Sequence, residues 1–178
     1  NIDGQRNVAV GYNSLFNNTS GHQNTAVGDG AMALNTIGQQ NASVGAAALL
    51  NNTEGNRNTA VGHGALAANI TSSDNTAMGS FALEKSTGTG NTAIGGNALR
   101  PHVSGDFNVA IGYNTGSNAV GVEHVNGNYN TLIGTDASVG VDGLTNASAI
   151  GFGAVVSQNN SMVLGNSSVN VGIGTTSP

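Results

Sequence analysis

The sequence predicts an all-β fold: a β-solenoid, or β-roll, of short parallel coils with two strands and two corners per turn. Three observations predict it. A five-residue motif returns along the chain: NVAVG from Asn7, NTAVG from Asn24, NASVG from Asn41, NTAVG from Asn58, NTAMG from Asn75, NTAIG from Asn91, NVAIG from Asn108 and NTLIG from Asn130. The closing glycines Gly11, Gly28, Gly45, Gly62, Gly79, Gly95 and Gly112 are spaced by 17, 17, 17, 17, 16 and 17 residues. The apolar segments are only four to five residues long and are bounded by Gly and Asn, which is a strand signal. A fixed period of this length is the mark of stacked units that bury a core only between neighbours.

Each unit has the same parts. Val, Ile or Met precedes the glycine, and Ala usually precedes that, as in Ala26-Val27 and Ala93-Ile94. Three and four residues after the glycine come a small and a large apolar residue, as in Ala65-Leu66 and Ala82-Leu83. A polar corner closes the unit, as in NNTEG from Asn51. Helix is excluded by the Gly, Asn, Thr and Ser in every unit, all weak helix formers. Disorder is excluded because it has no need of Leu at a fixed offset through successive units. Stacked coils would pair about 4.8 Å apart. The recurring glycine is expected at a corner with positive φ, where a β-carbon is penalised. The recurring Asn is expected to form a ladder, each amide bonding the next.

After Gly112 the period changes. Steps of 22, 17, 14 and 9 lead to Gly134, Gly151, Gly165 and Gly174. The chain therefore divides into regular coils at 1–112, a coil with an inserted loop at 113–133, shorter coils at 134–174, and an exit segment at 175–178. It opens in mid-pattern at Asn1 and reads as a piece of a longer protein. The motif strand has Ala on one face and Val or Ile on the other, because strand side chains alternate. A strand apolar on both faces is covered on both. Residues of the Val27 and Leu66 type are expected to fill the coil. The Ala face is then expected to meet other copies of the chain around a common axis.

The tiled N-x-A-[VI]-G pattern resembles the head repeats of trimeric autotransporter adhesins over Asn7 to about Gly165. NASAIG at Asn146–Gly151 and NSMVLG at Asn160–Gly165 are the nearest copies, at the 14-residue spacing usual in that family. The 17-residue units are more similar to repeats of phage tail-fibre-type proteins. VGIGTTSP at Val171–Pro178 is similar to the exit toward a stalk and a self-cleaving chaperone domain. The resemblance implies a left-handed parallel β-roll of 14–17-residue coils, three chains to a module.

Composition narrows the function. The 178 residues carry only 7% charged side chains, a net charge of −5 and four Lys plus Arg, against roughly 25% charged in ordinary proteins. So few cations cannot neutralise many phosphates, which argues against nucleic acid and against anionic membrane surfaces. There is no cysteine, hence no disulfide and no thiolate chemistry. No apolar run approaches the ~18 residues of a membrane span, so no membrane insertion by this segment is expected.

No catalytic, metal or cofactor motif emerges. His22, His63, His102 and His124 occupy different repeat positions and form no ligand ladder. Asp29, Glu54, Asp136 and Asp142 read as solvated surface, and Arg57 and Asp74, one coil apart in one column, read as an exposed pair. GDG at Gly28 and GHG at Gly62 lack the following helix of a phosphate loop. The N-x-[ST] sequons at Asn18, Asn52 and Asn69 arise from composition. A threonine column, Thr25, Thr59, Thr76 and Thr92, is broken by Val8, Ala42 and Val109 and is expected on a buried strand. The insertion from Tyr113 to Tyr129 is the one irregular stretch. Solenoid insertions map to loops, often on a binding face. The insertion reads first as a longer turn where the coil changes size; if it is a binding loop instead, Glu123, His124 and Tyr129 are the residues there suited to contact a receptor.

These readings lead to a non-enzymatic, structural and adhesive module of a trimeric extracellular fibre. A phage tail fibre that attaches to a host-surface glycan or protein receptor is preferred. The head of a bacterial cell-surface adhesin is the alternative. A glycan-cleaving tailspike or an ice-binding protein fits less of the sequence.

Overall fold

The computed structural model describes residues 2–101, 104–117 and 126–169. The repeated motif forms one parallel sheet of ten strands. They are β1 (Val8–Val10), β2 (Thr25–Val27), β3 (Ala42–Val44), β4 (Thr59–Val61), β5 (Thr76–Met78), β6 (Thr92–Ile94), β7 (Val109–Ile111), β8 (Thr131–Ile133), β10 (Ser148–Ile150) and β12 (Met162–Leu164). β9 (Ser138–Val139) and β11 (Val155–Val156) pair in a second, two-stranded parallel sheet. Each strand of the large sheet pairs with its equivalent one turn on, Ala60 opposite Ala77 and Ala77 opposite Ala93. There is no helix among the described residues, which form a β-solenoid of about nine turns, nine steps joining the ten strands. The strand register is kept through the 16-residue step by a polar corner one residue shorter at Ser86–Asn91.

The corner glycines stand where expected. Gly28 has φ 138° and Gly62 has φ 133°. A β-carbon on Gly62 would lie 2.6 Å from the carbonyl of Gly79 in the next coil. Conformation and close approach thus both demand glycine.

The second expected strand is absent from the regular coils; only β9 and β11, in the short coils, realise it. The segment after each corner glycine is a run of turns instead. In it every second residue is left-handed: Asn13 and Leu15, Ala47 and Leu49, Phe81 and Leu83, Asn97 and Leu99. Its peptides still bond along the stack, Gly30 N–H to Tyr12 C=O at 2.8 Å and Leu15 N–H to Ala31 C=O at 3.1 Å. A left-handed Leu costs about 1–2 kcal/mol, and burying its side chain returns about 1.5–3 kcal/mol. Inter-coil bonding therefore does not need an extended chain here.

The two strand faces are the reverse of the sequence expectation. Ala26, Ala60, Ala77, Ala93 and Ala110 are fully buried inside the coil, against Met32, Leu49, Leu66, Leu83 and Leu99. Leu66 is core as expected. Val27 is not: its column of Val, Ile and Met faces outward. The coil is thin, and the Leu reaching across it leaves room for only a methyl opposite. The exception obeys the same rule. Where the Leu column shrinks to Gly116 and Ser138, the Ala column grows to buried Leu132. A β-carbon on Gly116 would lie 2.6 Å from Leu99 Cδ2.

Two buried Asn ladders line the corners, where the sequence predicts only the one formed by the motif Asn. In the motif ladder the backbone N–H of Asn41 donates to Asn24 Oδ1 at 3.0 Å, and that of Asn58 donates to Asn41 Oδ1 at 2.8 Å. The Nδ2 of Asn41 reaches the carbonyl of Gly55 at 2.8 Å. In the corner ladder Nδ2 of Asn35, Asn52 and Asn69 donates to Oδ1 of Asn18, Asn35 and Asn52 at 2.7, 2.9 and 2.7 Å. The next coil carries Ser86 in that column, and Asn69 Oδ1 is left buried without a partner. These ladders satisfy polar groups that a narrow solenoid must bury at its corners.

Candidate interaction surface

The outer face of the ten-stranded sheet carries two side-chain columns. One is the residue before each corner glycine: Val10, Val27, Val44, Val61, Met78, Ile94, Ile111, Ile133, Ile150 and Leu164. Most of these are exposed, Val44 by 41%. The other is the threonine column, Thr25, Thr59, Thr76, Thr92 and Thr131, exposed or half-buried. It faces out rather than lying buried, because its alternate neighbour, Ala, occupies the coil. Nine coil spacings of about 4.8 Å and a strand width of about 10 Å give a face of about 400 Å². None of its side chains is charged. Monomeric proteins seldom leave an apolar-rich patch of that size without a use.

Two corner columns flank this face. On the strand's N-terminal side stands the residue five before each corner glycine, which precedes the motif Asn in the first eight coils: Arg6, Gln23, Gln40, Arg57, Asp74, Gly90, Phe107, Tyr129, Asn146 and Asn160. All are left-handed, with φ between 54° and 71°. Left-handed geometry holds each side chain above its equivalent in the next coil. Arg57 donates through Nε and one Nη to both carboxylate oxygens of Asp74 at 2.6 and 2.8 Å, the pair expected from the column. This bond holds the Asp74 carboxyl below its ordinary range. The rings of Phe107 and Tyr129 stack at 5.4 Å between centroids and 8° between planes. On the strand's C-terminal side stands the residue after each glycine, including Tyr12, His63, Tyr113 and Phe152. Tyr12 is 76% exposed, and Tyr113 and Tyr129 are each 59% exposed.

Aromatic residues are few, three Tyr and four Phe. Five of the seven, Tyr12, Phe107, Tyr113, Tyr129 and Phe152, occupy these two columns, out of some 17 positions per coil. Of the others, Phe81 takes the edge of His63 at 4.9 Å and the guanidinium of Arg100 at 4.6 Å. Arg100 also bonds Glu84 at 2.7 Å. This cluster knits three coils on the turn-run side of the solenoid.

Nothing among the described residues gathers groups for catalysis. No cluster of three His, Asp or Glu residues suited to a metal occurs among them. His22 accepts the Gln5 N–H at Nδ1, 3.0 Å away, and His63 packs on Phe81; the two are not neighbours. His102 lies outside the described residues. Asp29 and Glu54 are exposed on separate corners, Asp136 accepts from Asn114 at 2.8 Å, and Asp142 accepts from the Asn126 and Gly143 amides. One shallow, polar depression is lined by Gln5, Arg6, His22, Gln23 and Gln39. No helix among the described residues is long and apolar enough to cross a membrane.

Of the three residues singled out for a receptor, Glu123 and His124 lie outside the described residues. Tyr129 is described, on the corner column against Phe107 rather than in the insertion proper. The sheet face and its aromatic flanks escaped sequence reading because alternation tells which residues share a face, not which face turns inward. The aromatic clustering was legible: the spacing places those five residues immediately beside the strand ends. No protein-family model and no curated protein matches the chain.

Proposed function

We propose that the chain is a structural and adhesive module of a trimeric extracellular fibre. The observation that carries this reading is the uncharged, apolar-rich sheet face left uncovered along the whole solenoid. Three copies around one axis would turn these faces inward and bury the Val, Ile and Met columns. The inward face is therefore the Val-bearing one, not the Ala-bearing one. A cyclic ring keeps all three solenoid axes parallel, as an elongated fibre module requires. The resemblance to adhesin heads and tail-fibre repeats sets the number at three and prefers a left-handed roll.

The solenoid supplies length and stiffness, and the insertion after Ser117 supplies receptor contacts, with Glu123 and His124 offering polar bonds to a host-surface glycan or protein. Three copies add their weak contacts through avidity. A tail fibre is preferred to a cell-surface adhesin on the GIGTTSP ending alone. Light scattering tests the assembly: three chains of 17.5 kDa are expected, and a folded monomer overturns it. Whole-cell binding tests the loop. The Glu123→Ala, His124→Ala double variant should bind host cells more weakly while scattering as the parent does, and unchanged binding overturns the assignment.

A further inference from the structure

We infer that neighbouring chains meet along a seam in which the corner column after the glycine of one chain lies against the corner column before the motif Asn of the next. Tyr113 then packs against Phe107 and Tyr129 of the adjacent copy. The inference rests on the trimer reading and adds to it which residues touch.

Symmetry sets the pairing of columns. Three parallel solenoids with their sheets turned to one axis run their strands in the same sense around it. The C-terminal end of each strand therefore approaches the N-terminal end of the next chain's strand, so the contact is heterologous. A ring of three also closes only when neighbouring chains have no axial offset, because any offset would accumulate around the axis. Coil must therefore meet coil of the same number.

At that register the two columns complement one another. Tyr113 stands level with Phe107 and one coil from Tyr129, whose rings already stack. Tyr12 stands level with Arg6, as a ring and a cation that can attract one another. His63 stands level with Arg57 and one coil from Asp74. Gly96 stands level with Gly90, where two columns without side chains meet. The placement of five of seven aromatics in these columns, three of them more than half exposed tyrosines, suits side chains that a partner covers. Aromatic residues are the ones most enriched at such contacts.

The absence of cysteine makes the test clean. Within one chain, positions 107 and 113 lie six residues apart across an extended strand, roughly 15–20 Å. A disulfide needs Cα atoms within about 7 Å, so these positions can bridge only between chains. The Tyr113→Cys, Phe107→Cys double variant is oxidised mildly and run on a denaturing gel without reductant. The expected result is conversion of the monomer band to a covalent trimer, reversed by reductant, with neither single variant cross-linking. Two results overturn the seam while leaving the trimer standing: a trimer by scattering that does not cross-link, or cross-linking by Tyr113→Cys alone, which signals like columns meeting. A protein that scatters as a monomer overturns both the seam and the trimer.

Discussion

At the scale of single residues the corner glycine and the ladder asparagine are held by different forces. Gly62 combines a φ of 133° with the backbone of Gly79 where a side chain would begin. Gly62→Val is therefore expected to lower the melting temperature severely, and Asp29→Asn, on an exposed corner, to leave it nearly unchanged. Calorimetry of the two variants checks this. Asn52 donates to Asn35 and Gly55 and accepts from Asn69, all buried. Asn52→Ala removes these bonds and strands polar groups on two neighbours, so a loss of about 3 kcal/mol or more is expected in denaturant unfolding. Arg57–Asp74 illustrates the opposite regime. Its folded-state carboxyl is held down by the Arg57 bond, so its contribution exists above the unfolded carboxylate value, about 3.9, and is lost as pH falls through the folded one. The pair is exposed, so screening keeps the effect small. Acid titration of Asp74→Asn should match the parent closely.

At the scale of elements the three-residue strand and the turn run divide the work of one coil. The strand aligns coils through parallel pairing, and the run of alternate left-handed residues delivers a Leu to the core without an extended chain. The outer sheet face is not needed for either task. Lysine at Val44 and Ile94 together, V44K/I94K, is therefore expected to leave the β-sheet circular dichroism in place while dissociating the proposed trimer, which scattering reads. Loss of the β signal instead would mean that these side chains stabilise the coil itself. A substitution at the inner face, Ala77→Leu, should do the reverse and disrupt the coil, because buried Leu83 leaves only a methyl's width there.

At the scale of the molecule stability is a sum over neighbouring coils, with no long-range centre to lose. Nothing in the described residues gathers ligands for a cation, so chelation with EDTA is expected to leave the melting temperature unchanged; a large fall would reveal a site outside them. The period, the strands of the large sheet, the corner glycines and the motif Asn ladder were legible in the sequence. Each follows from a repeated local rule: a residue type at a fixed offset meets its own equivalent one coil on. The sense of the faces was not legible. Ala and Val alternate in either arrangement, and only the width left beside Leu49, Leu66 and Leu83 decides that Ala enters and Val stays out. The conformation of the turn run was hidden for a similar reason, since its left-handed leucines run against local preference and are stable only because the stack bonds their peptides and buries their side chains. The sequence by itself determined that coils stack and where they turn. Only the tertiary structure decided which face fills the core and which is left exposed, because that choice depends on the volume across the coil, a quantity no single repeat contains.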